Sequence, residues 1–119
     1  MCNSRYVEAY KKKIEKEKVK EEKLFKKLNE KARDAAEKLG KKFDLKRVYL
    51  FGSLNNKQKF YINSDVDIAV EGLDPAEFLT VWGFLEDHLD YDFDLVQLEK
   101  ANDSLKDIII EEGEVIYES

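Results

Sequence analysis

Val48-Tyr49-Leu50-Phe51-Gly52-Ser53, followed after a loop by Ser64-Asp65-Val66-Asp67-Ile68-Ala69-Val70, is the stretch whose reading decides the fold. Val48 to Phe51 is a short apolar run ended by Gly-Ser, the pattern of a buried strand breaking into a turn. Asp65 to Val70 alternates. Val66, Ile68 and Val70 fall on one face, while Asp65, Asp67 and Ala69 fall on the other. The Val-Ile face calls for a core, so the opposite face carries two carboxylates side by side. At an effective dielectric of ~20 and ~5–6 Å apart, two such charges repel by roughly 3 kcal/mol. A divalent cation turns that repulsion into attraction, and hard carboxylate oxygens suit Mg²⁺. An edge strand with an acidic outer face would explain the alternation, but not the preceding strand-Gly-Ser turn.

The charge distribution points the same way. The 119-residue chain has a net charge of −5, but the sign divides along its length. Residues 1–47 hold 17 Lys and Arg against 9 Asp and Glu, whereas residues 48–119 hold 4 against 17. An acidic body without a metal repels nucleotides and nucleic acid alike, so a metal-dependent site is favoured over direct phosphate binding. The length suits one core. No apolar run approaches the ~18–20 residues of a membrane span, and the expectation is a chain without signal peptide or anchor. A single cysteine, Cys2, excludes a disulfide framework and suggests a reducing cytoplasm.

Residues 6–39 lack Pro and Gly and are dense in Lys, Glu, Leu and Ala, which predicts one long helix, or two joined near Val19. Leu28, Ala32, Ala35 and Leu39 form its apolar stripe, and Gly40 reads as the C-cap that stops it. The first half should project and the second half should pack on the body. The division expected is a charged helical extension, residues 1–40, and a compact domain, residues 41–119. The cluster Lys11-Lys12-Lys13 with Lys16, Lys18 and Lys20 could touch RNA or an acidic partner. Interleaved Glu15, Glu17, Glu21 and Glu22 make a solvated face the simpler reading.

Asp74-Pro75-Ala76-Glu77 is a helix start, with Asp74 as cap and Glu77 completing a capping box. Phe78, Val81, Trp82, Leu85 and Leu89 then share a face, and Trp82 reads as core rather than a base-stacking platform. His88 is the only histidine, so hydrolase triads and His-based zinc sites have little to draw on. Asp90 to Leu98 reads as a third strand, with Asp90, Asp92 and Asp94 on one face; by spacing alone any of the three could complete the site. Asn102-Asp103-Ser104 caps a last helix, with Leu105, Ile108 and Ile109 inward and Gly113 ending it. Val115-Ile116-Tyr117 closes the sheet.

Phe51-Gly52-Ser53, Ser64-Asp65-Val66-Asp67 and Phe93-Asp94-Leu95-Val96 together resemble the DNA polymerase β-like nucleotidyltransferase superfamily. Within it, the small size resembles the minimal nucleotidyltransferases, the MntA-like antitoxins that pair with HEPN-domain toxins. The resemblance covers about residues 47–117. It implies an α+β nucleotidyltransferase fold, a small mixed β-sheet with helices packed on one face, preceded by the long helix. It places the third carboxylate directly before a Leu-Val pair, which selects Asp94, with Asp92 as alternate. Asp65, Asp67 and Asp94 are thereby implied as catalytic residues and as ligands of two Mg²⁺ ions, and ATP as the substrate.

Gly52, Ser53 and Lys57 form the implied nucleotide-binding set. The family commonly carries Ala-Arg-Gly after the Gly-Ser pair; here Leu54-Asn55-Asn56-Lys57 stands instead, and Lys57 or Lys59 either replaces the arginine or merely solubilises the loop. The activity implied is AMPylation, the transfer of AMP to a tyrosine hydroxyl of a HEPN-type ribonuclease toxin encoded nearby, in a cytoplasmic toxin-antitoxin system. Two other readings stand beside it. One is a catalytically silent module that neutralises its partner by occlusion, and the other is a nucleic-acid-binding adaptor using the basic helix.

Overall fold

The computed structural model describes residues 4–55 and 65–119. Lys57, Lys59 and Cys2 lie outside them. Helix α1, Ser4–Lys42, is one continuous helix of 39 residues, about 58 Å long at 1.5 Å per residue. No break occurs near Val19. Val7, Tyr10 and Val19 on its first half are exposed, while Leu28, Ala32, Ala35, Ala36 and Leu39 on its second half are buried. Projection of the one and packing of the other stretch the molecule to 65 Å along its longest axis, against 29 and 21 Å across.

Gly40 does not stop α1. The helix runs through it to Lys42 because Gly40 is a packing site: a Cβ there would collide with the ring of Tyr117. Termination falls instead to Asp44, which adopts φ 53°. Phe43 N–H donates to the Leu39 carbonyl at 2.9 Å and Leu45 N–H reaches the Gly40 carbonyl at 3.0 Å. That six-to-one bond around a left-handed residue is the Schellman closure, with Asp in the place glycine commonly takes. Lys41 and Lys42 in the last turn suit the negative end of the helix dipole.

Four strands follow: β1, Arg47–Phe51; β2, Val66–Glu71; β3, Phe93–Gln97; and β4, Glu114–Glu118. They form a mixed sheet in the order β3-β2-β1-β4. β1 runs antiparallel to both β2 and β4, and β2 pairs parallel with β3. A parallel pair needs a crossover, which helix α2, Phe78–Leu89, supplies. Asp74 Oδ1 accepts from Ala76 N–H at 3.0 Å, and Pro75–Glu77 forms a 3₁₀ turn before α2 begins, three residues later than the capping pattern suggests.

The third strand is shorter than its sequence pattern. Asp90 takes φ 47° and caps α2, so only Phe93–Gln97 pairs. Helix α3, Asp103–Glu112, is capped by Asn102, whose Oδ1 accepts from Leu105 N–H at 2.8 Å, and ends at Gly113.

The main core lies on one sheet face. Val48, Leu50, Val66, Ile68, Val70 and Leu95 meet the buried stripe of α1 and Val81, Leu85 and Leu89 of α2. Trp82 is partly buried against this cluster, its ring centroid 4.8 Å from that of Phe93. Each fully buried Leu, Ile or Val contributes about 1.5–3 kcal/mol. A smaller cluster occupies the other face, where Tyr49, Phe51 and Ala69 meet Leu98, in the turn after β3, and Ile109 of α3; α3 thus packs opposite α1 and α2, where helices on one face alone were expected. Ile108, expected inward, is 46% exposed. Only the stripe of α3 carrying Leu105 and Ile109 meets the sheet, and Ile108 lies off it. That second face also carries the acids.

Candidate functional site

Register builds the site. Phe51 of β1 stands opposite Asp67 of β2, and Asp67 stands opposite Asp94 of β3. Directly opposed residues share a face, so Asp67 and Asp94 project side by side next to Phe51, on the face that α3 partly covers. Asp65 precedes β2 by one residue and alternates onto the same side.

The chain leaves β1 at Phe51 and turns at Gly52, whose φ is +73°, a conformation that favours glycine. Gly52–Asn55 forms a 3₁₀ turn packed against β2. The approach is close: a Cβ on Gly52 would strike Oδ2 of Asp67. Ser53, half-buried, follows directly. Gly52, Ser53 and Asp67 are thus brought together at the end of β1, and Asp94 joins them across the parallel pairing.

Asp67 bears the electrostatic load of this arrangement. Half-buried between exposed Asp65 and Asp94, its carboxyl is pushed up to about 6. Burial is the largest cause, followed by the charge of Asp94 and then that of Asp65. Desolvation and like charge both disfavour the carboxylate form. Tyr91 is raised as well, by burial and by the charges of Asp92 and Asp65. Asp65 therefore faces two ways. It lies beside Asp67, and it lines a cleft of about 590 Å³ with Trp82, Tyr91, Asp92 and Phe93. Asp92 sits outside the strand, its carbonyl accepting from Val66 N–H at 3.0 Å.

Among the described residues, no three Asp, Glu, His or Cys side chains converge tightly enough to cage one ion. The donor chemistry nonetheless fits a hard divalent cation: paired carboxylates on adjacent strands, one of them half-buried beside the charge of the others. Asn29, which the sequence reading did not single out, also belongs to the surroundings. Its Nδ2 donates to the Leu54 carbonyl at 3.0 Å, at the far side of the Gly52 turn. An Asn inside a helix of Lys, Glu and Leu is the signal that could have found it, since Asn is a poor helix former.

A glycine turn thus stands against carboxylates on adjacent strands, an arrangement chemically compatible with a divalent cation. The profile of the family described as "Polymerase beta, Nucleotidyltransferase" matches residues 33–119, and the chain belongs to that family. No curated protein sequence matches it significantly. Among solved structures it is similar to a toxin-antitoxin crystal structure with AMP-PNP, at 30% identity and TM-score 0.62, with 73% of each chain covered. It is also similar to a MntA-HpeT toxin-antitoxin structure carrying two Asp-to-Glu substitutions, at 30% identity and TM-score 0.58, with 69% of each chain covered. A protein from Sulfolobus solfataricus assigned as a nucleotidyltransferase shares the fold at 18% identity and TM-score 0.55, covering 81% of this chain and 85% of the other. No helix of the described residues is long and apolar enough to cross a membrane.

Proposed function

We propose that the chain is a Mg²⁺-dependent adenylyltransferase that moves AMP from ATP to a tyrosine hydroxyl of a HEPN-type ribonuclease toxin, and so acts as a cytoplasmic antitoxin. The observation that carries the transfer is the opposition of Asp67 and Asp94 beside the Gly52 turn. The likeness to a toxin-antitoxin structure with AMP-PNP supports both the nucleotide and the kind of partner.

Asp65, Asp67 and Asp94 would hold the metal. When bound, Mg²⁺ supplies charge neutralisation of the triphosphate and of the attacking and leaving oxygens. Gly52 lets the backbone approach the phosphates, and Ser53 donates to them with the neighbouring N–H groups. Lys57 would take the phosphate contact left open by the altered loop. Asp94 accepts the proton of the incoming hydroxyl as its oxygen attacks the α-phosphorus. The bond from that phosphorus to the bridging oxygen breaks, AMP stays on the acceptor, and pyrophosphate leaves. Residues 41–119 form the catalytic unit in this reading. Residues 1–40 form the docking extension, whose last turns are built into the core of that unit.

Intact-mass spectrometry tests the reading directly. The protein is incubated with ATP and Mg²⁺ together with the HEPN-type protein encoded beside it, and an Asp65→Asn/Asp67→Asn variant runs in parallel. The expected result is a mass increase of one or more AMP groups on the partner that the variant does not produce. A stable complex without an adduct from any of the four nucleotides would overturn transfer in favour of occlusion.

A further inference from the structure

The turn that follows β1 is tethered from outside the sheet. Asn29, in the second half of α1, donates from Nδ2 to the Leu54 carbonyl at 3.0 Å, across 25 residues of sequence. Its Oδ1 accepts from Nε of Arg33 at 2.7 Å, and Nη2 of Arg33 pairs with Oε2 of Glu114, at the start of β4, at 2.6 Å. Amide orientation is fixed by this chain of bonds. The Arg33 Nε–H can only donate, so the atom facing it is the amide oxygen, and the amide nitrogen is left for the carbonyl. The Leu54 side chain is 1% exposed, so the turn is anchored at its far end by packing and by one hydrogen bond, one residue beyond Ser53.

We propose that Asn29 is a positioning residue for the nucleotide. By holding the Leu54 carbonyl it fixes the Gly52–Asn55 backbone in the orientation that presents its N–H groups to the polyphosphate, and the Arg33–Glu114 pair locks the Asn29 amide. The proposal rests on the nucleotidyl-transfer reading of the same site. Gly52 makes the near end of the turn permissive, so its geometry depends on the tether at the far end. Donors already aligned when the ligand arrives cost no reorganisation on binding.

Asn29→Asp is the discriminating variant. It has the same shape and keeps an acceptor for Arg33, but it sets a carboxylate oxygen against the Leu54 carbonyl where a donor stood. Arg33→Met is the second variant, releasing the amide while leaving Asn29 in place. Each is compared with the wild type by calorimetric titration with AMP-PNP in Mg²⁺, by thermal melting without nucleotide, and by hydrogen exchange over residues 52–55. The expected result for Asn29→Asp is a Kd raised about five- to tenfold, the size of one hydrogen bond. Its melting temperature should fall by only a few degrees, and its turn amides should exchange faster. Arg33→Met should show a smaller change in the same direction. A wild type that binds AMP-PNP while both variants bind equally well overturns the positioning role and leaves the transfer reading standing. A wild type that binds no nucleotide overturns both.

Discussion

The carboxylate of Asp67 occupies the space that a side chain on residue 52 would fill, and Gly52 meets it with φ +73°. Turn and acid are therefore one packed unit. Gly52→Ala adds both a collision with Asp67 and a left-handed alanine, and should cost about 1–3 kcal/mol of stability. Urea unfolding reads that loss. Because the displaced group is Asp67 itself, affinity for Mg²⁺-AMP-PNP should fall with it, which calorimetry checks.

Replacing either opposed acid removes charge without removing shape. Asp67→Asn and Asp94→Asn should each lower nucleotidyl transfer by roughly a hundredfold or more, while circular dichroism remains that of the wild type. Initial rates of adduct formation by mass spectrometry give the comparison. Retained activity in both variants would remove these two residues from the mechanism.

The raised carboxyl of Asp67 carries a stability signature of its own. An unfolded Asp titrates near 3.9, and in the fold this one titrates at about 6. Between roughly pH 4 and pH 6 the native state binds more protons than the unfolded state, so stability from this group falls as pH rises and the full cost is present above pH 6. Asp67→Asn cannot ionise. Without metal, its melting temperature should exceed that of the wild type at pH 7.5, and the gap should narrow as pH falls toward 4. Mg²⁺ should raise the wild-type melting temperature more at pH 7.5 than at pH 5, because protons compete for the same oxygens. A gap independent of pH would contradict the assignment of the strain to Asp67.

Gly40 yields a prediction far from the acids. A Cβ there would enter the ring of Tyr117, and overpacking of this kind costs about 1–3 kcal/mol. Helix propensity alone would make Gly40→Ala stabilising by about 1 kcal/mol. The sign of the change in urea midpoint therefore decides which effect governs the position.

The parts of the fold legible in the sequence were those written in local pattern. The Asp65–Val70 alternation, the Gly-Ser break and the apolar stripe from Leu28 to Leu39 each fixed an element and its buried face. Local pattern misleads where a residue's role is set by its tertiary surroundings. Gly40 reads as a helix stop because glycine commonly is one; its partner, Tyr117, lies on the last strand. Asp90 fits an alternating strand, yet it adopts the left-handed conformation that ends α2. Ile108 follows the helical period, but α3 touches the sheet along a stripe too narrow to include it. Within the site, the Asp67–Asp94 opposition follows from parallel register, which spacing alone leaves open among Asp90, Asp92 and Asp94. Asn29 stands out in the sequence only as a poor helix former inside α1; its bond to the Leu54 carbonyl crosses from helix to loop, and no local pattern names that partner.

The uneven support of α1 has a kinetic consequence. One face of its second half is built into the core and can open only when the core does, whereas residues 7–20 are almost wholly solvent-facing. A helical stretch of that length is marginal in water by itself, so its outer turns exchange with coil on the sub-microsecond timescale of helix–coil relaxation. A protein that grips those turns must supply the free energy of ordering them, and its affinity will weaken on warming in step with the helicity of the free segment. The seated half of α1 acts as a permanent nucleus for this process, so each successive turn is added by elongation and the unfavourable first turn is never remade.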